Sequence, residues 1–189
     1  MPATSDRSTA RERLLAAADE LFYEHGVHSV GIDKVIDRAG VAKASLYNTF
    51  GSKDELVRAY LQGRHERREA RILREIDRHE DPVDRVLAVF DAMVAITEQP
   101  RFRGCAFLNA SAEASPGSSV EEVSVTAREW VRATFERLAA EAGAADPTAL
   151  ARQLVLLYDG ASVTAQLDHR RDAALTARGA AAVLLAAAR

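Results

Sequence analysis

The sequence predicts an all-α protein, and three observations predict it. Ala, Leu, Arg and Glu, all strong helix formers, dominate a chain of 189 residues that holds only 10 Gly and 5 Pro. Apolar residues recur at spacings of three and four along nearly the whole chain, and no stretch shows the period-two alternation of a half-buried strand. Capping signals and prolines cut this pattern into about nine segments of helix length.

The first helix opens at Thr9-Ala10-Arg11-Glu12, where the Thr hydroxyl and the Glu carboxylate can each accept from the other's backbone N–H. Leu14, Leu15, Ala18, Leu21 and Phe22 follow at helical spacing, and Gly26 stops it. A second helix begins near Gly31, buries Ile32, Val35 and Ile36, and ends at Gly40. The third runs from Lys43 to Phe50 and buries Leu46 and Phe50. Ser52 then caps a fourth helix with Glu55 at its third position, a second capping box. That helix passes through Leu56 and Tyr60 into the highly charged stretch from Arg64 to His79, and Asp81-Pro82 breaks it.

Beyond Pro82 the charge thins. Val83 to Glu98 is an amphipathic helix carrying Val86, Leu87, Phe90, Met93 and Val94, closed by Pro100. Phe102 to Ala114 is apolar with a polar stripe, and Ser115-Pro116-Gly117-Ser118-Ser119 is a loop. A long helix from about Ser119 to Glu141 bears Val123, Ala127, Trp130, Val131, Thr134 and Leu138. Asp146 caps the next helix and Pro147 takes its first position, where a missing N–H costs nothing. The last two helices span about Pro147 to Leu167 and Asp172 to Ala187. The expected domains are 1–55 and 56–189, with the fourth helix, begun near residue 52, linking them.

Composition bounds function more weakly than fold. The N-terminus lacks a basic-then-apolar signal region, and the Ala-rich tail from Ala180 to Ala188 is too short to span a bilayer. One cysteine permits no internal disulfide, which fits a reducing cytoplasm. The net charge is −3, yet residues 1–80 balance 14 Lys and Arg against 14 Asp and Glu. Any nucleic-acid contact must therefore rest on placed charges rather than on a general positive field. His25, His28, His65, His79 and His169 have no Cys or carboxylate at metal-ligand spacing, and neither a glycine-rich phosphate loop nor a Gly-x-Ser-x-Gly elbow occurs. No metal, cofactor or catalytic role is expected, and an enzyme or carrier is the weakest of the functional readings.

The stretch from Val41 to Leu56 is the most informative. Lys43, Ser45, Tyr47, Asn48 and Thr49 crowd into barely two turns after the Ala39-Gly40 turn, leaving few positions for a core. Such side chains can reach phosphates or base edges, and helix, tight Gly turn, helix is the order of a DNA-reading helix-turn-helix. With the Leu46-Tyr47-x-x-Phe50 spacing and Ser52-Lys53-Asp54-Glu55, this stretch resembles the N-terminal domain of the tetracycline-repressor (TetR) family of bacterial regulators. The resemblance is specific over about the first third of the chain and architectural beyond it. It implies that Lys43, Ala44, Ser45, Tyr47, Asn48 and Thr49 face DNA. Lys43 and Asn48 would be candidates for base edges, and Tyr47, Thr49 and Lys53 would lie on phosphates. Arg7, Arg11 and Arg13 would reach neighbouring backbone. Ala42 departs from the family's usual hydroxyl cap, as does Gly31, and Asp33 would repel a nearby phosphate.

In the second domain Cys105, Asn109 and Glu113 lie four apart on one stripe of an apolar helix. Either they link neighbouring helices, or Asn109 and Glu113 line a ligand cavity with Phe90, Met93, Phe107, Trp130 and Tyr158. Such a cavity favours a hydrophobic or aromatic molecule with one hydrogen-bonding group, since no basic cluster is evident for a phosphate. Leu150, Leu154, Leu157, Ala161 and Ala165, with Ala174, Ala181, Ala182, Leu184 and Leu185, form an apolar excess on the last two helices. It serves either a four-helix dimer seam or an internal hairpin. The expected whole is a cytoplasmic homodimer that binds a palindromic double-stranded operator, off the membrane, and is released by a small-molecule effector. The alternative within the same fold is a DNA-binding protein without an inducer.

Overall fold

The computed structural model describes residues 8–188, and among them the chain forms nine helices and no strand. They are α1 (Ala10–His25), α2 (Ile32–Ala39), α3 (Lys43–Phe50), α4 (Lys53–Ile76), α5 (Pro82–Thr97), α6 (Ala106–Glu113), α7 (Ser119–Glu141), α8 (Pro147–Leu167) and α9 (Ala173–Ala187). They group into two compact units, Met1–Arg64 with Ala106–Ser124 and His65–Cys105 with Val125–Arg189.

In the first unit the capping box closes α1 from both sides. Glu12 N–H donates to the Thr9 hydroxyl at 3.2 Å, and Thr9 N–H donates to the Glu12 carboxylate at 2.7 Å. Leu14, Ala18 and Phe22 of α1, Val35 and Ile36 of α2, Leu46 of α3 and Leu56, Tyr60 and Leu61 of α4 are buried apolar residues of these helices. Tyr60 packs edge-on to Phe22 with centroids 5.6 Å apart. Polar braces hold the helices in register. Arg38 of α2 reaches Glu20 of α1 at 2.6 Å, and Arg64 of α4 forks onto Asp19 at 2.7 and 2.9 Å while stacking 3.9 Å over the Tyr23 ring. Phe50 and Ile32, expected inside, are only half-buried. Phe50 ends its helix beside Gly51, and the Arg11 guanidinium lies 5.8 Å from the centre of its ring.

The second unit is built on α5, which buries Val86, Leu87, Phe90, Ala92 and Met93 against α7, α8 and α9. Asp81 accepts from the N–H groups of Val83 and Asp84, and Pro82 occupies the first position, so the break after α4 is also the start of α5. Asp146 caps α8 in the same way through Ala149 N–H at 2.9 Å. Arg178 of α9 holds Asp91 of α5 at 2.8 Å, and Arg85 of α5 holds Glu141 of α7 at 2.6 Å. Of the two uses weighed for the apolar excess on the last two helices, the internal hairpin accounts for much of it. Leu150, Leu154, Ala161 and Ala165 of α8, with Ala174, Ala181 and Leu185 of α9, are buried within this unit, because α9 packs on α5 and α8.

Candidate nucleic-acid interface

Gly40 makes the turn between α2 and α3. Its φ of 62° and ψ of 43° are left-handed, and the next N–H, that of Val41, returns to Ile36 C=O at 3.3 Å. Ala42 then enters α3 in extended backbone, with no side-chain bond to cap it. Leu46 is the fully buried anchor of α3. Around it Lys43, Ala44, Asn48 and Thr49 are exposed, Tyr47 is 45% exposed and Ser45 is half-buried. In this helix of eight residues Leu46 alone is buried, so most of its side chains face solvent.

The polar groups on this face are partly pre-engaged. Lys43 Nζ lies 2.9 Å from Asp33 Oδ1, and this hydrogen bond and charge raise the lysine's pKa. Thr49 Oγ1 donates back to Ser45 C=O at 2.6 Å, so its hydroxyl is turned onto its own helix. Lys53 begins α4, whose first turn is capped by Ser52 Oγ accepting from Glu55 N–H at 3.1 Å. That arrangement presents a cation beside a helix N-terminus, which suits an anion. Arg11 and Arg13 belong to α1 itself, and Arg13 donates to Gly40 C=O at 3.2 Å, bracing the turn. Arg7 lies outside the described residues. The Asp33–Lys43 pair and the Arg13 brace were not foreseen. The first joins residues ten apart across a turn, and the second joins residues 27 apart.

The residues expected around a ligand divide between the units. Phe90, Met93, Trp130 and Tyr158 lie in the second, with Phe90 and Tyr158 edge to face at 6.3 Å. Phe135 completes that group at 5.5 Å from Phe90 and 6.0 Å from Tyr158. It was overlooked in the sequence, although it sits four after Val131 on the buried stripe of α7. Phe107, Asn109 and Glu113 lie in the first unit, where Phe107 is buried and Asn109 half-buried. Glu113 Oε2 accepts from His28 N–H at 2.5 Å, so this carboxylate serves the loop between α1 and α2. Among the described residues no group of three or more His, Cys, Asp or Glu is placed to hold a metal ion.

Comparison with known proteins bears on both halves. Residues 14–60 match the model for bacterial regulatory proteins of the tetR family, and residues 82–181 match the tetracyclin repressor-like C-terminal domain. The crystal structure of SCO4454, a TetR-family transcriptional regulator from Streptomyces coelicolor, superposes with a TM-score of 0.90 at 36% identity, covering 95% of each chain. A tetr-transcriptional regulator from Streptomyces avermitilis gives 0.86 at 36% identity over 96% of this chain and 98% of that one. Among curated relatives, the transcriptional activator FasR of Mycolicibacterium smegmatis is 50% identical over 56 residues, 30% of this chain and 26% of FasR. The transcriptional repressor KstR2 of Rhodococcus jostii is 38% identical over 60 residues, 32% of this chain and 29% of KstR2. The chain thus matches a little over a quarter of the length of either protein. With matching models over residues 14–60 and 82–181 and homologous structures over nearly its full length, the chain belongs to the TetR family of bacterial regulatory proteins.

Proposed function

We propose that this chain is a cytoplasmic, homodimeric, sequence-specific DNA-binding repressor, released from a palindromic operator by a small hydrophobic ligand. The observation that carries the DNA reading is α3, with one buried anchor and an outward set of Lys43, Tyr47, Asn48 and Thr49 beside the Lys53 helix start. Lys43 and Asn48 would read base edges, while Tyr47 and Lys53 fix register on phosphates, with Thr49 joining them once its hydroxyl leaves Ser45 C=O. The sign of regulation is the finer part. The relative named as a repressor and the repressor-like C-terminal model favour repression, whereas the head shared with an activator speaks only for DNA. Among the described residues no helix is long and apolar enough to cross a membrane.

Two copies would set their α3 helices in successive major grooves, about 34–36 Å apart. A ligand in the second unit would favour a state in which that spacing no longer fits. The test is selection of duplexes from a random library. Enriched sequences should carry two inverted half-sites one helical turn apart, and enrichment of sequences without two-fold symmetry would reject the dimeric reader.

A further inference from the structure

Leu46 is the one buried side chain of α3, so this helix of eight residues turns on a single pivot. A tilt of about 10° about that pivot carries either end of such a helix through about 1 Å. That is the difference between a hydrogen bond to a base edge and none. Base preference therefore depends on what holds the ends of α3 as well as on its outward side chains. At the C-terminal end Gly51 N–H returns to Tyr47 C=O at 2.9 Å, and α4 follows at Lys53. The N-terminal end is held by less. Ala42 supplies no side-chain cap, and the Lys43–Asp33 pair is solvent-exposed, so phosphates can draw the lysine away.

What remains at that end is the Gly40 turn, and Arg13 reaches it from α1. Gly40 N–H donates to Asp37 C=O at 3.2 Å and Val41 N–H to Ile36 C=O at 3.3 Å. These bonds use the donors of the turn, and the Gly40 carbonyl accepts from Arg13 Nη1 at 3.2 Å, a charge-assisted bond. Arg13 is itself well placed. Its N–H donates to Thr9 C=O at 3.0 Å beside the capping box, and its neighbour Leu14 is fully buried. Since α1 packs on both α2 and α3, the bond ties the turn those two helices share to the helix that supports them.

We propose that Arg13 is a positioning residue, which sets the angle of α3 through the Gly40 carbonyl and so determines base preference without touching DNA. This role rests on the reading of α3 as the helix that meets base edges. It replaces the phosphate contact that the family resemblance implies for Arg13, and the two roles make different demands. A phosphate contact strengthens all duplexes alike and adds about one unit to the salt slope. A brace adds nothing to that slope and acts only where α3 meets bases.

The test uses the full chain, a duplex it enriches from a random library, and a scrambled duplex of the same composition. Arg13→Met removes the donor and keeps an unbranched, helix-forming stem, and Arg13→Ala serves if the first variant melts early. Either should lower the ratio of specific to scrambled affinity at least about fivefold, with the scrambled affinity and its salt slope unchanged. Selection repeated with the variant should lose preference at the same base pairs as Asn48→Ala. In the Asn48→Ala background Arg13→Met should do less than it does alone, since the contact it positions is already gone. Equal weakening of both duplexes, with a salt slope flatter by about one unit, would overturn the proposal in favour of a phosphate contact. Additive losses in the double variant, or an unchanged ratio in a variant folded by circular dichroism, would overturn it as well. A parent chain that enriches no sequence would remove the base-reading role of α3 itself, and this proposal with it.

Discussion

Asp33 and Lys43 set a small conflict on the outer face of the head. Asp33 in the first turn of α2 favours that helix's dipole, and its carboxylate holds Lys43 at 2.9 Å, but both side chains are mostly exposed. A solvent-exposed pair of this kind contributes little, so the phosphates of a duplex can outcompete Asp33 for the lysine. Asp33→Asn should therefore strengthen binding to any duplex about two- to fivefold and steepen its salt dependence, at a stability cost of about 0.5 kcal/mol. A fluorescence-anisotropy salt series checks it, and weaker binding by the variant would mean that Asp33 positions Lys43 for DNA rather than withholding it. Lys53 and Asn48 should separate differently. Lys53→Ala should weaken all sequences alike and flatten the salt slope by about one unit, whereas Asn48→Ala should relax preference at defined positions. Equal, small losses from both in a gel-shift series would remove the assignment.

At the scale of the element, the helices were legible because their ends are decided locally. Thr9 with Glu12, Asp81 with Pro82 and Asp146 with Pro147 each satisfy backbone N–H groups within three residues, and a sequence displays such pairs directly. Only the Ser52 hydroxyl and Gly40 turn were needed to add the helix-turn-helix. What a helix touches was less legible, since partners far along the chain leave no local mark. Glu113 ends α6 and yet bonds His28 N–H, 85 residues away, and a Cβ at Gly26 would lie 2.6 Å from its Oε1. Glu113→Ala should cost about 1 kcal/mol and speed amide exchange at His28, which hydrogen exchange would read. Ala42 offers the opposite lever. Its backbone is already extended and α3 lacks a side-chain cap, so Ala42→Ser should add about 0.5–1 kcal/mol to the unfolding free energy. A denaturant midpoint that does not move would show that water already satisfies the first turn of α3.

For the whole molecule, apolar excess predicted burial correctly but could not say which copy of the chain does the burying. Ala161, expected in a dimer seam, is 5% exposed inside the protomer's own core, so Ala161→Arg should unfold the second unit rather than merely separate the subunits of a dimer. The face that remains open is another one. Leu156 and Leu167 on α8 are 70% and 69% exposed, with Gly160 between them, and Leu175 and Val183 on α9 are 52% and 69% exposed, with Gly179 between them. Leu156, Gly160 and Leu167 follow helical spacing, as do Leu175, Gly179 and Val183, and a Cβ at either glycine would meet nothing within 4 Å. Two such stripes, each with a small residue at its centre, allow two helix pairs to approach closely. Each large side chain contributes about 1.5–3 kcal/mol when fully buried, so four per protomer are costly to leave in water. Leu156→Arg combined with Val183→Arg should give folded monomers by light scattering, with unchanged helicity and a loss of at least about a hundredfold in operator affinity, because each head then binds its half-site alone. A double variant that stays dimeric would place the seam elsewhere on the molecule.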